Sequence, residues 1–463
     1  MNKTTLITTL AAALAVPALL LAGCGTEGAC ERSHGIVVCG DFGEPTFATR
    51  LGVGADQISW PPVAIQPDGI VLSRGDQLIR LDANGQVTVV DQANGQLDVP
   101  SGTASGALYV SAGSGTGASL RALQRDGNTS ELLWTSNLSG QPAGTPPTMG
   151  DKDLYVATVA GNGGWSLGTP SLHQVDRGSG KVMRTIEGAS PAAVMPDGSI
   201  RYLRDASGGG EDVTYGELVA EAADGTVLWS WAYGAGIVDY APGVGNETYV
   251  VTADQKLVQV SDGGVTAWDF TPPCTDCNVA AAPTVTEDVV YFPVWEDAPE
   301  YAVDPLYAVG HDGDVRWVYD GFTTKTSRFS GDPVLGTFTG SQIYVESVQH
   351  HPSGRPVVAQ DGTLFVATDG AVVALDSAGV ETGRAVWDEG AGEVTAHSTG
   401  PFSGSGSWLN PGVTPSPVLA PNGTLYTWDG DAVRAFKTGR AASTTAWIAP
   451  FGGPGNDGRV GSN

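Results

Sequence analysis

Leu306-Tyr307-Ala308-Val309-Gly310-His311-Asp312-Gly313-Asp314-Val315-Arg316-Trp317 joins a compact apolar strand, through an aspartate and glycine turn, to a second strand that ends in tryptophan. Turns of this kind need positive φ, which glycine supplies cheaply, so the stretch reads as a β-hairpin. The pattern returns as Leu218-Val219-Ala220 with Gly225 to Trp229 and as Leu257-Val258-Gln259-Val260 with Gly264 to Trp268. Looser versions end at Trp134, Trp387 and Trp447, while Val89 and Arg184 stand at the equivalent offset in units one and three. Ahead of each hairpin lie a proline, a short apolar stretch, a turn and an apolar-aromatic strand. Eight such strands are centred on Val71, Tyr109, Tyr155, Arg201, Tyr249, Tyr291, Phe365 and Tyr426. A unit that returns about every 40 to 60 residues is a repeat architecture in which each copy buries its faces against the next.

A large aromatic side chain recurring once per unit is what radiating sheets need to fill the wedge between them. With three or four short strands per unit and no amphipathic helix, the chain reads as an all-β β-propeller. The expectation is eight blades of four-stranded antiparallel sheets, with seven or nine as alternatives. The doubt arises at Asp332-Pro333 to Ile343-Tyr344-Val345, which looks like a first half without a second and is read as an inserted hairpin near 321–355. Ring closure is expected from Ile58-Ser59-Trp60, which puts a tryptophan ahead of unit one.

The repeats resemble those of the pyrroloquinoline-quinone-like propeller family. Leu306 to Val309 with Gly313 and Trp317, and Val373-Ala374-Leu375-Asp376 with Trp387, are the nearest matches, and Trp447-Ile448-Ala449-Pro450-Phe451 with Gly458-Arg459 looks like the family's end segment. The resemblance runs from about Trp60 to Arg459 and implies fold more than function, since enzymes, sensors and scaffolds share it. Its quinone-dependent dehydrogenases imply an adjacent cysteine pair, a tryptophan floor and acidic or amide ligands for calcium. This sequence has no Cys-Cys and no C-x-x-C-H haem site, so no catalytic residue, cofactor or metal is carried over. The branch implied instead is that of lipid-anchored members similar to the eight-bladed lipoprotein of the outer-membrane β-barrel assembly machinery, although this chain is longer and more acidic.

Met1-Asn2-Lys3 followed by an uncharged Ala/Leu-rich stretch from Thr4 to Leu21 reads as an export signal. It ends in Leu21-Ala22-Gly23-Cys24, which resembles a bacterial lipobox, so residues 1–23 are expected to be removed and Cys24 lipidated. Gly25, in place of an aspartate, favours the outer membrane. Of five cysteines, four are then left for two disulfides, and sequence proximity suggests Cys30 with Cys39 and Cys274 with Cys277. Residues 24–57 are read as a tether stiffened by the first disulfide, and 58–463 as the propeller.

Fifty acidic against 23 basic residues give the chain a formal charge of −27, which opposes binding to nucleic acid or electrostatic adsorption to anionic lipid. Membrane contact is therefore expected through the anchor alone, and the propeller is read as a monomer. His350-His351 near Glu346 lacks metalloprotease spacing and reads as a solvated pair. Asp312-Gly313-Asp314, Asp429-Gly430-Asp431 and Glu296-Asp297 lack the ligand density of a calcium loop and read as turn formers. Trp165, Trp295, Trp408 and Trp428 fall in or near Gly/Ser/Thr-rich loops and are the candidates for a ligand-binding surface. The sequence thus points to a non-enzymatic, lipid-anchored scaffold for envelope proteins, with a carbohydrate- or ligand-binding propeller and a quinone-dependent oxidoreductase as alternatives.

Overall fold

Central strands of the chain are apolar on both faces, because each face meets a neighbouring sheet: Ile70, Val71 and Leu72 are all fully buried, as are Val290 and Phe292. Outer strands alternate instead, as in Val182–Glu187 and Thr129–Ser139. The computed structural model describes residues 30–33, 36–52, 58–64, 69–103, 105–114, 117–160, 169–207, 214–273, 277–279, 282–296, 305–321, 323–329, 343–349, 354–368, 371–387, 416–428 and 432–443.

Among the described residues, antiparallel sheets succeed one another in chain order, each laid down from its inner to its outer strand. The first runs from Ile58–Ala64 to Val87–Gln92, the second from Gln96–Leu97 to Thr129–Ser139, and the third from Gln141–Pro142 to Val182–Glu187. The long strand Val227–Pro242 closes the fourth sheet with its first part and opens the fifth with its second, so these two form one continuous seven-stranded sheet ending at Thr266–Phe270. The sixth extends to Val315–Tyr319, the seventh from Val357–Val358 to Glu381–Trp387, and the eighth from Val418–Leu419 to Ala432–Lys437. Between sixth and seventh, Thr323–Phe329 pairs with Ile343–Gln349 in a hairpin of its own.

Buried clusters stitch each sheet to the next. Val63, Val71 and Leu78 pack with Leu108 and Val110, and Tyr155 and Leu172 with Tyr202 and Val219. The last sheet meets the first, where Tyr426, Trp428 and Val433 pack with Ile70, Leu72 and Ile79. The ring therefore closes, as a propeller must.

Closure comes from an earlier segment than the sequence suggests. Glu44–Arg50 pairs with Ala432–Lys437 and becomes the outer strand of the eighth sheet, whereas Ile58–Ala64 is the inner strand of the first. Phe47 stands opposite Ala435, at the register occupied elsewhere by tryptophan, and packs beneath Gly85 of sheet one. The described residues of the stretch expected to be a disulfide-stiffened tether are likewise built in. Cys30–Ser33 and Ile36–Gly40 form a hairpin whose second strand pairs with Glu381–Trp387 and widens the seventh sheet. Both pairings cover an outer sheet edge that would otherwise expose its backbone groups.

The recurring tryptophans pack between sheets rather than within one. Trp134 lies against Gly180 of the following sheet, Trp229 against Gly264, Trp268 against Gly313 and Trp317 against Gly379. Glycine is required twice over at Gly180, where φ is +73° and a Cβ would come within 2.5 Å of the Trp134 ring. Indole N–H groups of Trp134, Trp268 and Trp317 donate to the carbonyls of Arg177, His311 and Ser377 in those next turns. In unit three Arg184 replaces the tryptophan, lies against Gly225, and pairs with Glu221. Unit seven has Gly383 at this register, opposite Ala374, and Trp387 falls further along, opposite Ile36. A side chain on Gly383 would strike the backbone of Asp41 and Phe42, so the amino-terminal chain fills the place of the missing ring.

Candidate functional site

Strand direction sorts the connections into two kinds. Turns from first to second and from third to fourth strand gather at one end of the ring; the second-to-third and sheet-to-sheet connections gather at the other. At the first end the described turns are short, and in several of them an aspartate carboxylate accepts backbone N–H groups. Asp82 accepts from Asn84 and Gln86, Asp376 from Ala378 and Val380, and Asp312 from Asp314. At the second end the strands Asp153–Val159, Ile200–Ser207, Val289–Glu296 and Glu381–Trp387 finish, and more sequence separates each of them from the next strand, Pro170–Asp176, Thr214–Glu221, Leu306–Gly310 and Val418–Leu419, than separates strands at the first end.

At that second end the inner strands enter the axis, and their register places polar residues there. Asp239, Ala282, Arg355 and Ser416 each stand two residues ahead of the first common ladder position, taken by Ala241, Thr284, Val357 and Val418. Arg355 Nη2 reaches past the small Ala282 of sheet six to the Asp239 carboxylate of sheet five, 3.3 Å away, and to the Tyr240 carbonyl at 3.5 Å. The Arg355 amide donates to Ser416 Oγ in sheet eight. Burial lifts the Asp239 carboxyl above its ordinary range, with Arg355 and the Tyr240 N–H drawing it back, and lowers the Arg355 guanidinium. Tyr240 Oη donates into the Pro191 and Arg201 carbonyls at 2.9 and 2.7 Å.

Asp98, between the two short inner segments Gln96–Leu97 and Ser101–Gly102 of sheet two, is 7% exposed. Its carboxyl accepts from its neighbour Val99 N–H and from Gly144 N–H of sheet three, both at 2.8 Å. Burial outweighs these two bonds and pushes its pKa up to about 7. His173, 1% exposed, bonds Thr158 and Thr185 hydroxyls through its two ring nitrogens, which makes it part of the packing of sheet three. Among the described residues no group of acidic, histidine or cysteine side chains has the arrangement of a metal site.

The residues singled out in the sequence are dispersed by the fold. Cys30 and Cys39 face each other across the amino-terminal hairpin and are bonded. Cys24, Cys274, Trp165, Trp408, His350 and His351 lie outside the described residues; Cys277 opens the short strand Cys277–Val279. Trp295 belongs to Val289–Glu296, opposite Asn278. Trp428 is a correction: it is 5% exposed and packs between sheets eight and one beside Tyr426 and Ile70, so it is no part of a binding surface. Sequence reading passed over Asp98, Asp239 and Arg355. Asp239 and Arg355 share one offset ahead of equivalent strands, and that offset is the signal that would have found them.

No family model and no curated protein matches the chain. Among solved structures the Dos1 propeller aligns with a TM-score of 0.50 at 11% identity, covering 86% of this chain and 96% of that one. BamB from Moraxella catarrhalis aligns at 0.38 and 14% identity over 80% and 94%. A europium-containing methanol dehydrogenase aligns at 0.44 and 11% over 82% and 84%. At 11% identity the likeness to the Dos1 propeller shows the fold, a β-propeller, and no chemistry.

Proposed function

We propose that this protein is a lipid-anchored, eight-bladed β-propeller scaffold of the bacterial envelope, held by Cys24 and binding another envelope protein through its loop-bearing end. One observation carries the reading: among the described strands of the eight sheets, those followed by the longest stretches of sequence all finish at one end of the ring, while the turns described at the other end are short. Variation confined to one face of a rigid repeat body is how such bodies present a binding surface. At the centre of that face, Arg355 Nη2 is held by the Asp239 carboxylate and the Tyr240 carbonyl and its amide by Ser416, while its buried Nη1 has no hydrogen-bond partner. The anchor is read from the Leu21 to Cys24 motif, and the outer membrane from Gly25.

The test is site-specific photocross-linking in intact envelopes, with the reactive residue at Asp254 or Asp320 on the loop-bearing end, or at Asn84 or Asp224 on the short-turn end. One stoichiometric envelope protein captured from the first pair only supports the scaffold. Capture from neither pair, together with a quinone chromophore in the purified protein, overturns it.

A further inference from the structure

We infer that the interface between sheets two and three binds an alkali-metal cation at its axial end, through the Asp98 carboxylate and the hydroxyls of Ser101, Ser111 and Thr145. Such a site stands independently of the lipid anchor and of docking at the loop-bearing end. Ser101, Ser111 and Thr145 are at most 3% exposed, and the hydroxyl oxygen of each is buried without a hydrogen-bond partner. Buried polar groups in folded proteins are almost always served, so three in one interface call for a guest.

Register brings these groups together. The ladder that pairs Gln96 with Gly113 and Leu97 with Ala112 continues to Asp98, which stands opposite Ser111 and donates its N–H to the Ser111 carbonyl at 2.8 Å. Side chains of such a pair share one face of the sheet, with Cβ atoms about 4.5–5.5 Å apart. That face looks onto sheet three, because the Asp98 carboxylate accepts from Gly144 N–H, and Thr145 is the next residue. Ser101 stands opposite Tyr109, which belongs to the buried cluster with Leu154 and Val156 of sheet three. Two positions separate Tyr109 from Ser111, so Ser101 lies on the same face as Asp98.

Hydroxyls at equivalent places elsewhere in the ring are satisfied by protein. Thr148 of sheet three and Thr284 of sheet six occupy the ladder position of Ser101, and each donates across to a carbonyl of the following sheet, Ala192 and Pro356, at 2.7 Å. On the opposite face of sheet two, Ser59 and Ser73 of sheet one donate to the Leu97 and Asp98 carbonyls. The hydroxyls that face sheet three break this pattern, and they do so around a buried carboxyl.

That carboxyl has no counter-charge among the described residues. Burial pushes its pKa up to about 7, and the opposing influences are two backbone N–H groups, of Val99 and Gly144. A cation here supplies the charge and takes the remaining lone pairs of the carboxylate and the three hydroxyls. Donors that are all oxygen suit a hard ion, and one carboxylate balances a single positive charge. A divalent ion would need further acids, and no such group lies among the described residues.

The experiment follows thermal unfolding of the full chain at pH 8, where Asp98 is largely ionised, in NaCl, KCl or choline chloride at equal ionic strength. Choline screens surface charge as well as the alkali ions do but is too large for a buried site. Expected is a saturable rise in Tm in NaCl or KCl over choline chloride, about 3 °C at a hundredfold excess over Kd. The rise should vanish in Asp98→Asn, shrink in Ser111→Ala and Thr145→Val, and persist in Asp224→Asn, which removes an exposed acid of the short-turn end. Sodium NMR line widths read binding apart from stability: the folded parent should broaden the line, and Ser111→Ala should broaden it less, so the site stays testable even where Asp98→Asn does not fold. Equal Tm in all three salts would overturn the site and leave the hydroxyls to internal water. A sodium effect that survives in Asp98→Asn, or is lost equally in Asp224→Asn, would overturn it in favour of diffuse binding to the acidic surface.

Discussion

Phe47→Ala tests whether the ring is held shut by its amino-terminal strand. Phe47 is 5% exposed, lies against Tyr426 with ring centroids 6.3 Å apart, and fills the space under Gly85. Truncating a buried phenylalanine in a packed core costs about 3–5 kcal/mol, a shift of at least a hundredfold in the folding equilibrium. For a body of about four hundred residues the entropy of unfolding is about 0.8 kcal/mol per degree, so the same loss lowers Tm by about 4–6 °C. Val89→Ala is the matched control. Val89 stands at the same repeat offset in unit one, yet it is 44% exposed and nothing packs against Gly127 of the following unit; its loss costs about 0.5 kcal/mol or less. Equilibrium denaturation followed by tryptophan fluorescence measures both. Hydrogen exchange over Thr424–Lys437 should rise in the phenylalanine variant alone. Equal small shifts for the two variants would refute closure by Glu44–Arg50.

Asp98 gives the fold a dependence on pH. Because its native pKa is raised to about 7 from 3.8, the native state holds a proton that the unfolded chain has released; the resulting stability is complete below about pH 4 and lost as pH rises to about 7, amounting to about 4 kcal/mol at most. Asp98→Asn should flatten the Tm against pH curve in that window, and a slope unchanged from the parent would disprove the assignment. Gly383→Ala places a Cβ 2.7 Å from the Phe42 amide, so about 1–3 kcal/mol of overpacking is expected, with the Cys30–Gly40 hairpin becoming the earliest site of limited proteolysis. Replacing both Cys30 and Cys39 by serine removes a cross-link over a sequence separation of 9; the loss is about 2–3 kcal/mol by chain entropy, and exchange should accelerate in Cys30–Gly40 while strands of the third and fourth sheets stay protected.

The repeat was readable because its signal is carried by residues with one physical job. A proline opens the inner strand, an aromatic strand fills the middle, and a turn glycine makes room for the preceding tryptophan. Closure was harder to read, since a strand that completes a sheet made hundreds of residues later carries no local turn signal tying it to its partner. Phe47 does the work of a tryptophan without being one, and Gly383 marks the vacancy that the amino-terminal chain fills; Trp60 and Trp387, with the right identity, sit at other registers. Trp428 misled because it borders a Gly/Asp loop, and only the packing of sheet eight on sheet one decides that it points inward. The axial residues were overlooked because Asp239 and Arg355 matter only through a contact between different units.

The pairing of Thr46 with Ala435 bridges 389 residues of chain. The strand that completes the eighth sheet is thus made long before its partner. An emerging chain has no means of closing the ring on itself, and contacts of such separation form slowly. The ring therefore stays open until Ala432–Lys437 has been made, and the sheets before it must hold together without closure until then.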